Sequence, residues 1–409
     1  MTKLLQINVV ANSTSTGRIA EEIGNISIKS GWESYIMYGR WAKKSSSHLI
    51  KIGNKFSIII HGMLSFLFDK HGYGSYIATQ KAIKEIKKIK PDIIHIHNIH
   101  GYYLNFPLLF KYLNSTNIPI IWTLHDCWAF TGHCAYFSYI GCNKWKEKCQ
   151  KCKALDTYPK SIFNIDNSEK NFLLKKSIFP KKPNLILVPV SQWLSTLLKD
   201  SFFNSNRIIQ IYNGIDTTQF NIVDSKKKIK QQFAIGNKTK IILGVANVWD
   251  KRKGLEEFIK LSKLLINKNY IIILIGLSKK QIKLLPPNII GITRTESIKE
   301  LCEFYSAADV YINPTLEDNF PTTNLEAMAC GTPVITYNTG GCKEAITEEV
   351  GIVIEKGDIS KLISSIDKLT SINKEYFQQK CRNHIINNFD KEKQYQKYLK
   401  LYNSILNKK

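Results

Sequence analysis

Arginine is scarce in this chain of 409 residues, although the formal net charge is +25. The basic side chains are almost all lysine, whereas a protein that reads DNA favours arginine for its planar, bidentate fork. The sequence therefore favours a solvated lysine-rich surface, and a basic zinc-containing nucleic-acid binder remains the alternative of another class. The arginines are Arg18, Arg40, Arg207, Arg252, Arg294 and Arg382.

Long apolar runs are also missing. The longest, from Phe56 to Phe68, has about half the length that a membrane-spanning helix needs, and it carries His61 and Gly62. We predict a buried helix there. The apolar run after Met1 is too short for a secretory signal and has no cleavage site. We therefore expect a cytoplasmic protein without a transmembrane anchor.

What the chain does have is a twofold alternation of short apolar runs with helical patterns. The first half has predicted strands at 4–10, 34–38, 92–97 and 118–124 and helices at 18–29 and 76–90. The second half has predicted strands at 240–245, 271–275, 310–313 and 333–337 and helices at 255–266, 298–306 and 323–329. Continuously hydrophobic strands between helices are typical of parallel sheets covered on both faces. The sequence predicts two doubly wound α/β domains.

Turn-forming residues at 189–194 and 212–216 indicate a hinge between these domains. We place the first domain at 1–205, the second at 206–388 and a final helical segment at 389–409. Ligands of open α/β sheets bind beyond the carboxyl ends of the strands. Two facing sheets would therefore place the site in the cleft between them.

The most specific pattern runs from Pro314 to Ile335. It comprises a strand end, an acidic loop, a helix that carries Glu326, and the run Ala-Met-Ala-Cys-Gly-Thr-Pro-Val. It resembles the acidic Glu-x7-Glu signature of the retaining family-four glycosyltransferases. The second acid corresponds to Glu326 and the first to Asp318, with Glu317 as a competing register.

The resemblance implies a GT-B fold of two Rossmann-like domains and a role for each of these residues. Glu326 would bind the ribose of a nucleotide sugar, since a carboxylate can accept two hydrogen bonds from a diol. Asp318 and the backbone amides near Asn319 and Phe320 would hold the transferred sugar. Amides at the start of the helix suit a diphosphate.

A basic loop follows the first strand of the second domain and resembles the pair that clamps the leaving diphosphate in this family. Lys253 occupies the lysine position. Asn247 or Val248 stands where the family has arginine, so Arg252 is the candidate for the second charge, with a solvated turn as the alternative. Neutralising the departing diphosphate is the main electrostatic demand of glycosyl transfer.

In the first domain, Gly17 follows the first strand and permits close approach to the backbone; by resemblance it lines the cleft. His125 ends another strand and matches the histidine that relatives place against the transferred sugar. We expect Asp126 to fix its tautomer. A wall on the acceptor side is expected from His95, His97, Asn98 and His100.

Four cysteines, at positions outside the family pattern, fall within one loop. They end in a C-x2-C pair, which in a reducing compartment favours a tetrahedral structural zinc over disulfides. Unpaired buried thiols are the alternative. The four are Cys134, Cys142, Cys149 and Cys152.

The resemblance spans nearly the whole chain. It implies retaining transfer from a nucleotide diphosphate sugar to a saccharide in bacterial surface polysaccharide synthesis, and we expect this saccharide to be lipid-linked. No catalytic metal is expected, and no Asp-x-Asp pair is evident. The final helix would cross back to the first domain, and the lysine-rich surface would favour the anionic inner leaflet. Other GT-B enzymes, a sugar phosphorylase or a nucleotide-sugar epimerase, are the nearer alternatives.

Overall fold

The computed structural model describes residues 1–163, 165–266 and 268–407. Its internal contacts divide the chain into two compact units, residues 1–213 with 394–409 and residues 214–393. The sequence placed the corresponding boundaries at 205 and 388.

The first domain is a parallel sheet with the strand order β3-β2-β1-β4-β5-β6-β7. Its strands are β1 (Lys3–Asn8), β2 (Glu33–Tyr38), β3 (His48–Lys51), β4 (Ile93–Ile96), β5 (Ile120–Leu124), β6 (Leu185–Pro189) and β7 (Arg207–Ile208). Its helices are α1 (Thr14–Lys29), α2 (Lys55–Phe68), α3 (Tyr76–Ile89), α4 (Phe106–Asn114), α5 (Ser168–Ile178) and α6 (Gln192–Asp200). All residues of the central strands β4 and β5 are buried, which explains their unbroken apolar character.

The second domain repeats this architecture with the strand order β10-β9-β8-β11-β12-β13, again all parallel. Its strands are β8 (Lys240–Val245), β9 (Tyr270–Ile275), β10 (Ile289–Ile292), β11 (Val310–Asn313), β12 (Val334–Tyr337) and β13 (Gly351–Ile354). Its helices are α7 (Lys226–Gln232), α8 (Leu255–Leu264), α9 (Lys279–Ile282), α10 (Ile298–Ala307), α11 (Thr322–Ala329), α12 (Ile359–Ser371) and α13 (Lys374–Asn388). The predicted fold class, two Rossmann-like α/β domains, is confirmed.

The last helix, α14 (Lys391–Leu406), joins the core of the first domain from Gln394 onward. Its buried aromatic residues pack beside Leu4, Ile19 and Ile93. The hydroxyl of Tyr402 lies 2.6 Å from Nδ1 of His95, and that of Tyr398 lies 3.0 Å from the Thr123 hydroxyl. The helix therefore completes the first domain with both apolar and polar contacts.

The apolar run at Phe56 to Phe68 forms the helix α2 as predicted, but its predicted burial is wrong. Only His61 and Ser65 of this helix are buried, and most of its large apolar side chains are exposed. The reason is that His61 and Ser65 face the interior, where His61 forms hydrogen bonds with Gly72 and Ser75. Within the described ranges, no helix combines the length and the apolar character that crossing a bilayer requires.

Candidate active site

Three neighbouring strands of the first domain, β1, β4 and β5, end at the same edge and bring polar side chains together there. Nδ1 of His97 lies 3.2 Å from Nε2 of His125, and Nε2 of His97 lies 3.0 Å from Oε1 of Gln6. Gln6 in turn donates its amide hydrogen to the carbonyl oxygen of Ala20 over 2.8 Å. This chain of contacts orients the ring of His125.

The same contacts assign the tautomers. Because the Gln6 amide donates to a carbonyl, its oxygen accepts from His97 Nε2, so Nδ1 of His97 accepts from Nε2 of His125. Burial lowers the pKa of His125 to about 4, although the charge of Asp126 opposes the shift. His125 is therefore neutral at pH 7, with Nδ1 as an acceptor for a hydroxyl.

Asp126 does not fix His125 as predicted. Its Oδ2 lies 2.8 Å from Nε2 of His100, and its Oδ1 accepts from the backbone N–H of Trp128 over 2.9 Å. Nδ1 of His100 lies 2.9 Å from the Tyr158 hydroxyl. Burial raises the pKa of Asp126, but His100 and the Trp128 amide outweigh it and hold this pKa low. Asp126, His100 and Tyr158 thus form a second polar chain beside His125.

The acceptor-side wall predicted from His95, His97, Asn98 and His100 stays a prediction, and the structure gives the partners of these residues. Both ring nitrogens of His95 are occupied, by Tyr402 and by the Thr123 hydroxyl at 2.7 Å, so this residue stabilises the domain. The backbone N–H of Asn98 donates to Oδ1 of Asn8 over 3.3 Å. His97 and His100 take part in the two chains that reach His125 and Asp126.

Gly17 lies near the start of α1 and packs against the loop that follows β1. A Cβ atom there would lie 3.0 Å from Cγ2 of Val10 and 3.3 Å from the backbone nitrogen of Asn12. The backbone nitrogen of Asn12 also donates to the Gly17 carbonyl over 3.1 Å. The glycine therefore permits close packing of the helix against this loop, and its predicted contact with a ligand stays a prediction.

The cysteine loop brings its thiols close together without forming a metal-binding group. The thiols of Cys134 and Cys152 share a hydrogen bond, and burial raises the pKa of Cys149 to about 12. Across the described ranges, no group of three or more His, Cys, Asp or Glu side chains has the arrangement to hold a metal ion. The zinc site predicted from Cys134, Cys142, Cys149 and Cys152 does not fit this geometry.

In the second domain, the loops after β8 and β11 are joined. The backbone N–H of Leu316 donates to the carbonyl of Arg252 over 2.7 Å, and the guanidinium of Arg252 donates to the carbonyl of Glu317 over 2.6 Å. Gly254 has a φ of +79°, and a Cβ there would lie 2.3 Å from the Pro314 carbonyl oxygen. Arg252 is therefore engaged with this backbone rather than being a solvated turn residue.

Lys253 and Asp318 meet across these loops. Nζ of Lys253 lies 2.5 Å from Oδ2 of Asp318, whose Oδ1 accepts from the backbone N–H of Asn319 over 2.8 Å. Burial raises the pKa of Asp318, but the charges of Lys253 and Arg252 outweigh it and keep this pKa low. Of the two competing acids, it is Asp318 whose carboxylate contacts the predicted diphosphate-binding lysine; the Glu317 side chain is buried.

Glu326 lies on α11 and is 4% exposed. Its Oε2 accepts from the hydroxyl of Tyr305 over 2.9 Å, and the Thr322 hydroxyl lies 3.4 Å from its Oε1. The ring of Phe320 packs 5.7 Å from that of Phe389, so any role of this residue in binding falls to its backbone. Asn247, by contrast, is exposed just after β8.

Three residues that form these contacts were not predicted from the sequence. Gln6 lies inside a strand, and Tyr305 lies inside a helix, so neither gave a signal. Gly340 follows β12, and a Cβ there would lie 1.9 Å from the carbonyl oxygen of Asp318. A Gly-Gly pair just after a parallel strand, at 340–341, is the pattern that could have indicated it.

Comparison with known families accounts for both halves of the chain. Residues 17–219 match the profile of Glycosyltransferase Family 4, and residues 225–402 match Glycosyl transferases group 1. The chain belongs to the glycosyltransferases. Because both matched families are glycosyltransferases, the alternative of a basic nucleic-acid-binding protein is disfavoured.

Curated relatives of this glycosyltransferase include bacterial proteins of polysaccharide assembly. The colanic acid biosynthesis glycosyl transferase WcaC of Escherichia coli K12 is 23% identical over 88% of this chain and 89% of its own. A galactosyltransferase of Escherichia coli, named for UDP-Gal and an α-D-GlcNAc-diphosphoundecaprenol acceptor, is 24% identical over 50% of this chain and 56% of its own.

Solved structures confirm the fold of the enzyme. Sucrose-phosphate synthase of Thermosynechococcus elongatus superposes with a TM-score of 0.73 at 16% identity, covering 100% of both chains. Anabaena HepE in complex with UDP-glucose gives 0.66 at 14% identity, over 99% of this chain and 100% of its own. At these identities the likeness concerns the fold alone.

Proposed function

We propose that this glycosyltransferase transfers a sugar from a nucleotide diphosphate sugar to a lipid-linked saccharide in the synthesis of a bacterial surface polysaccharide. The contact between Lys253 and Asp318 carries the proposal, because it places a cation for a diphosphate beside a carboxylate for sugar hydroxyls. WcaC, a relative of nearly full length, is named for colanic acid synthesis.

The donor half of the proposal assigns one task to each residue. Lys253 neutralises the leaving diphosphate, with Arg252 adding positive charge nearby. Asp318 keeps lone pairs for sugar hydroxyls after it has accepted from Lys253 and the Asn319 amide. Glu326 binds the ribose diol while Tyr305 holds its carboxylate in place.

The reaction exchanges one bond at the sugar for another. The bond from sugar C1 to the diphosphate oxygen breaks, a bond from C1 to the acceptor oxygen forms, and the acceptor proton passes to an oxygen of the donor's phosphate. We propose that the new bond forms on the same face, with retention. His125 positions the donor sugar through Nδ1, and no residue of this chain has to form a covalent intermediate.

The acceptor half rests on the first domain. We assign the chain of Asp126, His100 and Tyr158 to the acceptor hydroxyl. A relative that acts on a diphosphoundecaprenol-linked sugar supports a lipid-linked acceptor. Such acceptors are held at the inner face of the cytoplasmic membrane, so we propose that the enzyme works there as a peripheral protein.

The test is a thermal-shift series with UDP, GDP, ADP and their sugars. We expect one nucleotide family to raise the Tm, and the shift to vanish in Lys253→Met and Glu326→Gln. Lys251→Ala is the matched control, because Lys251 lies in the same turn but is exposed. If no nucleotide stabilises the protein at millimolar concentration, the proposal is wrong. NMR of the product linkage then tests retention.

A further inference from the structure

The outward surface of α2 is apolar over its whole length. Phe56, Ile59, Ile60, Met63 and Phe66 are 70%, 59%, 42%, 55% and 40% exposed, respectively. Their spacing of three or four residues places them on one side of the helix. We call these five side chains the α2 apolar face. A contiguous apolar surface of this kind marks a protein or membrane contact rather than ordinary surface.

This orientation is fixed by the inward side of the helix. Nδ1 of His61 lies 3.0 Å from the Ser75 hydroxyl, and Nε2 of His61 accepts from the backbone N–H of Gly72 over 3.0 Å. A Cβ at Gly74 would lie 2.5 Å from the His61 ring. Burial lowers the pKa of His61 to about 4, so the ring is neutral at pH 7. Turning the apolar residues inward would break both hydrogen bonds of His61.

A second segment extends the α2 apolar face. The backbone N–H of Ile162 donates to the carbonyl of Phe66 over 3.0 Å, and Ile162 and Phe163 are 39% and 64% exposed. Tyr158 of the same segment is also exposed, while its hydroxyl contacts His100. The apolar surface thus continues to a residue of the proposed acceptor half.

In the stretch of chain that carries the α2 apolar face, residues 55–84, the exposed charged side chains are all cationic. Between residues 55 and 84 the only acid is Asp69, which is buried and contacts His133 at 2.5 Å. The exposed lysines of this stretch are Lys55, Lys70, Lys81 and Lys84, and the extending segment adds Lys160. An apolar helix face bordered by lysine is the composition that lies in the interface of an anionic bilayer.

We propose that the α2 apolar face docks onto an anionic lipid bilayer, with the helix lying in the plane of the interface. The helix of 14 residues is about 21 Å long, too short to span the hydrocarbon core of about 30 Å. A second copy of the chain on the same face would bring like charges from two sets of lysines together, whereas anionic headgroups neutralise them. This inference rests on the proposed function only for the lipid-linked acceptor, which Tyr158 would meet at the membrane.

The test is flotation of the full chain with lipid vesicles. One vesicle type contains phosphatidylcholine alone, and the other contains added phosphatidylglycerol. We expect binding to the anionic vesicles and a loss of binding as salt rises. The partition coefficient onto anionic vesicles is expected to be lower by about tenfold or more in the double variant Ile59→Ser/Met63→Ser. Its matched control is Leu264→Ser/Ile266→Ser, since those side chains of the second domain are 55% and 62% exposed.

Several outcomes separate the alternatives. Absence of vesicle binding by the unmodified protein, or equal binding by the Ile59→Ser/Met63→Ser variant, would overturn the proposal. The proposal would also be overturned if light scattering showed that the unmodified protein is a dimer and the variant a monomer. An unchanged Tm and nucleotide response in the variant exclude misfolding. Vesicle binding without any nucleotide response would instead remove the proposed function and leave the docking surface standing.

Discussion

Nζ of Lys253 lies 2.5 Å from Oδ2 of Asp318, and this contact joins the loop after β8 to the loop after β11. The two loops follow neighbouring parallel strands, so the contact lies at the carboxyl edge of the sheet, where α/β domains bind ligands. The pair therefore offers two groups that suit a sugar diphosphate: a cation for the phosphates and a carboxylate that can accept hydrogen bonds from sugar hydroxyls.

Removing the cation is expected to slow the chemical step. Lys253→Met should lower kcat about 100-fold or more, because an electrostatic contact to the leaving group is strongest in the transition state. Steady-state kinetics with the donor identified by thermal shift will measure this. Lys251→Ala should keep kcat within about twofold, and an equal loss in both variants would contradict the role of Lys253.

The hydrogen bond from Tyr305 to Glu326 is expected to contribute to both stability and binding. Tyr305→Phe leaves a buried carboxylate without this donor, so the free energy of unfolding should fall by about 1–3 kcal/mol. The nucleotide Kd should rise as Glu326 loses its orientation. Urea unfolding and calorimetric titration measure the two effects. Tyr376→Phe is the control, since this tyrosine of the same domain is 52% exposed.

Acid is expected to destabilise the first domain through its buried histidines. Burial lowers the pKa of His125 to about 4 and that of His95 to about 3, below their unfolded value of about 6.5. The unfolded chain therefore binds more protons, and stability present above pH 6.5 is lost as the pH falls towards 4. Each such histidine contributes up to about 1.4 kcal/mol per pH unit in this window.

The slope can be assigned by substitution. Between pH 6.5 and 4, His125→Asn should reduce the slope of the free energy of unfolding against pH. The expected reduction is the contribution of one proton, up to about 1.4 kcal/mol per pH unit. Urea titrations at several pH values give the slopes of the unmodified protein and the variant. A slope that His125→Asn does not alter would mean that this ring takes up its proton at the same pH in the folded and unfolded states.

The sequence predicted the architecture because each sheet uses unbroken apolar strands. The resemblance to a known family pointed to Lys253, Asp318 and Glu326, which lie in loops and a helix next to strand ends, and their roles stay predictions. It missed contacts made across elements distant in the chain. The partner of Asp126 is His100 on another loop, and neither spacing nor residue type distinguishes it from the adjacent His125.

The orientation of α2 could not be predicted from its mean apolar character. A helix with three polar residues in an apolar run ordinarily buries its apolar side. Here His61 and Ser65 lie four residues apart on one side, and the hydrogen bonds of His61 to Gly72 and Ser75 turn that side inward. The position of those two residues on one helical side was the available signal, and their tertiary partners decide the outcome.

The contact between His100 and Asp126 is expected to act on the acceptor rather than on the donor. His100→Gln removes the ring that connects Asp126 to Tyr158, so acceptor positioning should weaken and kcat/KM for the acceptor should fall about 10- to 100-fold. Nucleotide binding, measured as the thermal shift, should be unchanged because the residues proposed to bind the diphosphate and the ribose, Lys253 and Glu326, lie in the second domain. Tyr158→Phe should give a smaller loss, since His100 keeps its bond to Asp126. A loss of nucleotide binding in His100→Gln would contradict this division of tasks between the two domains.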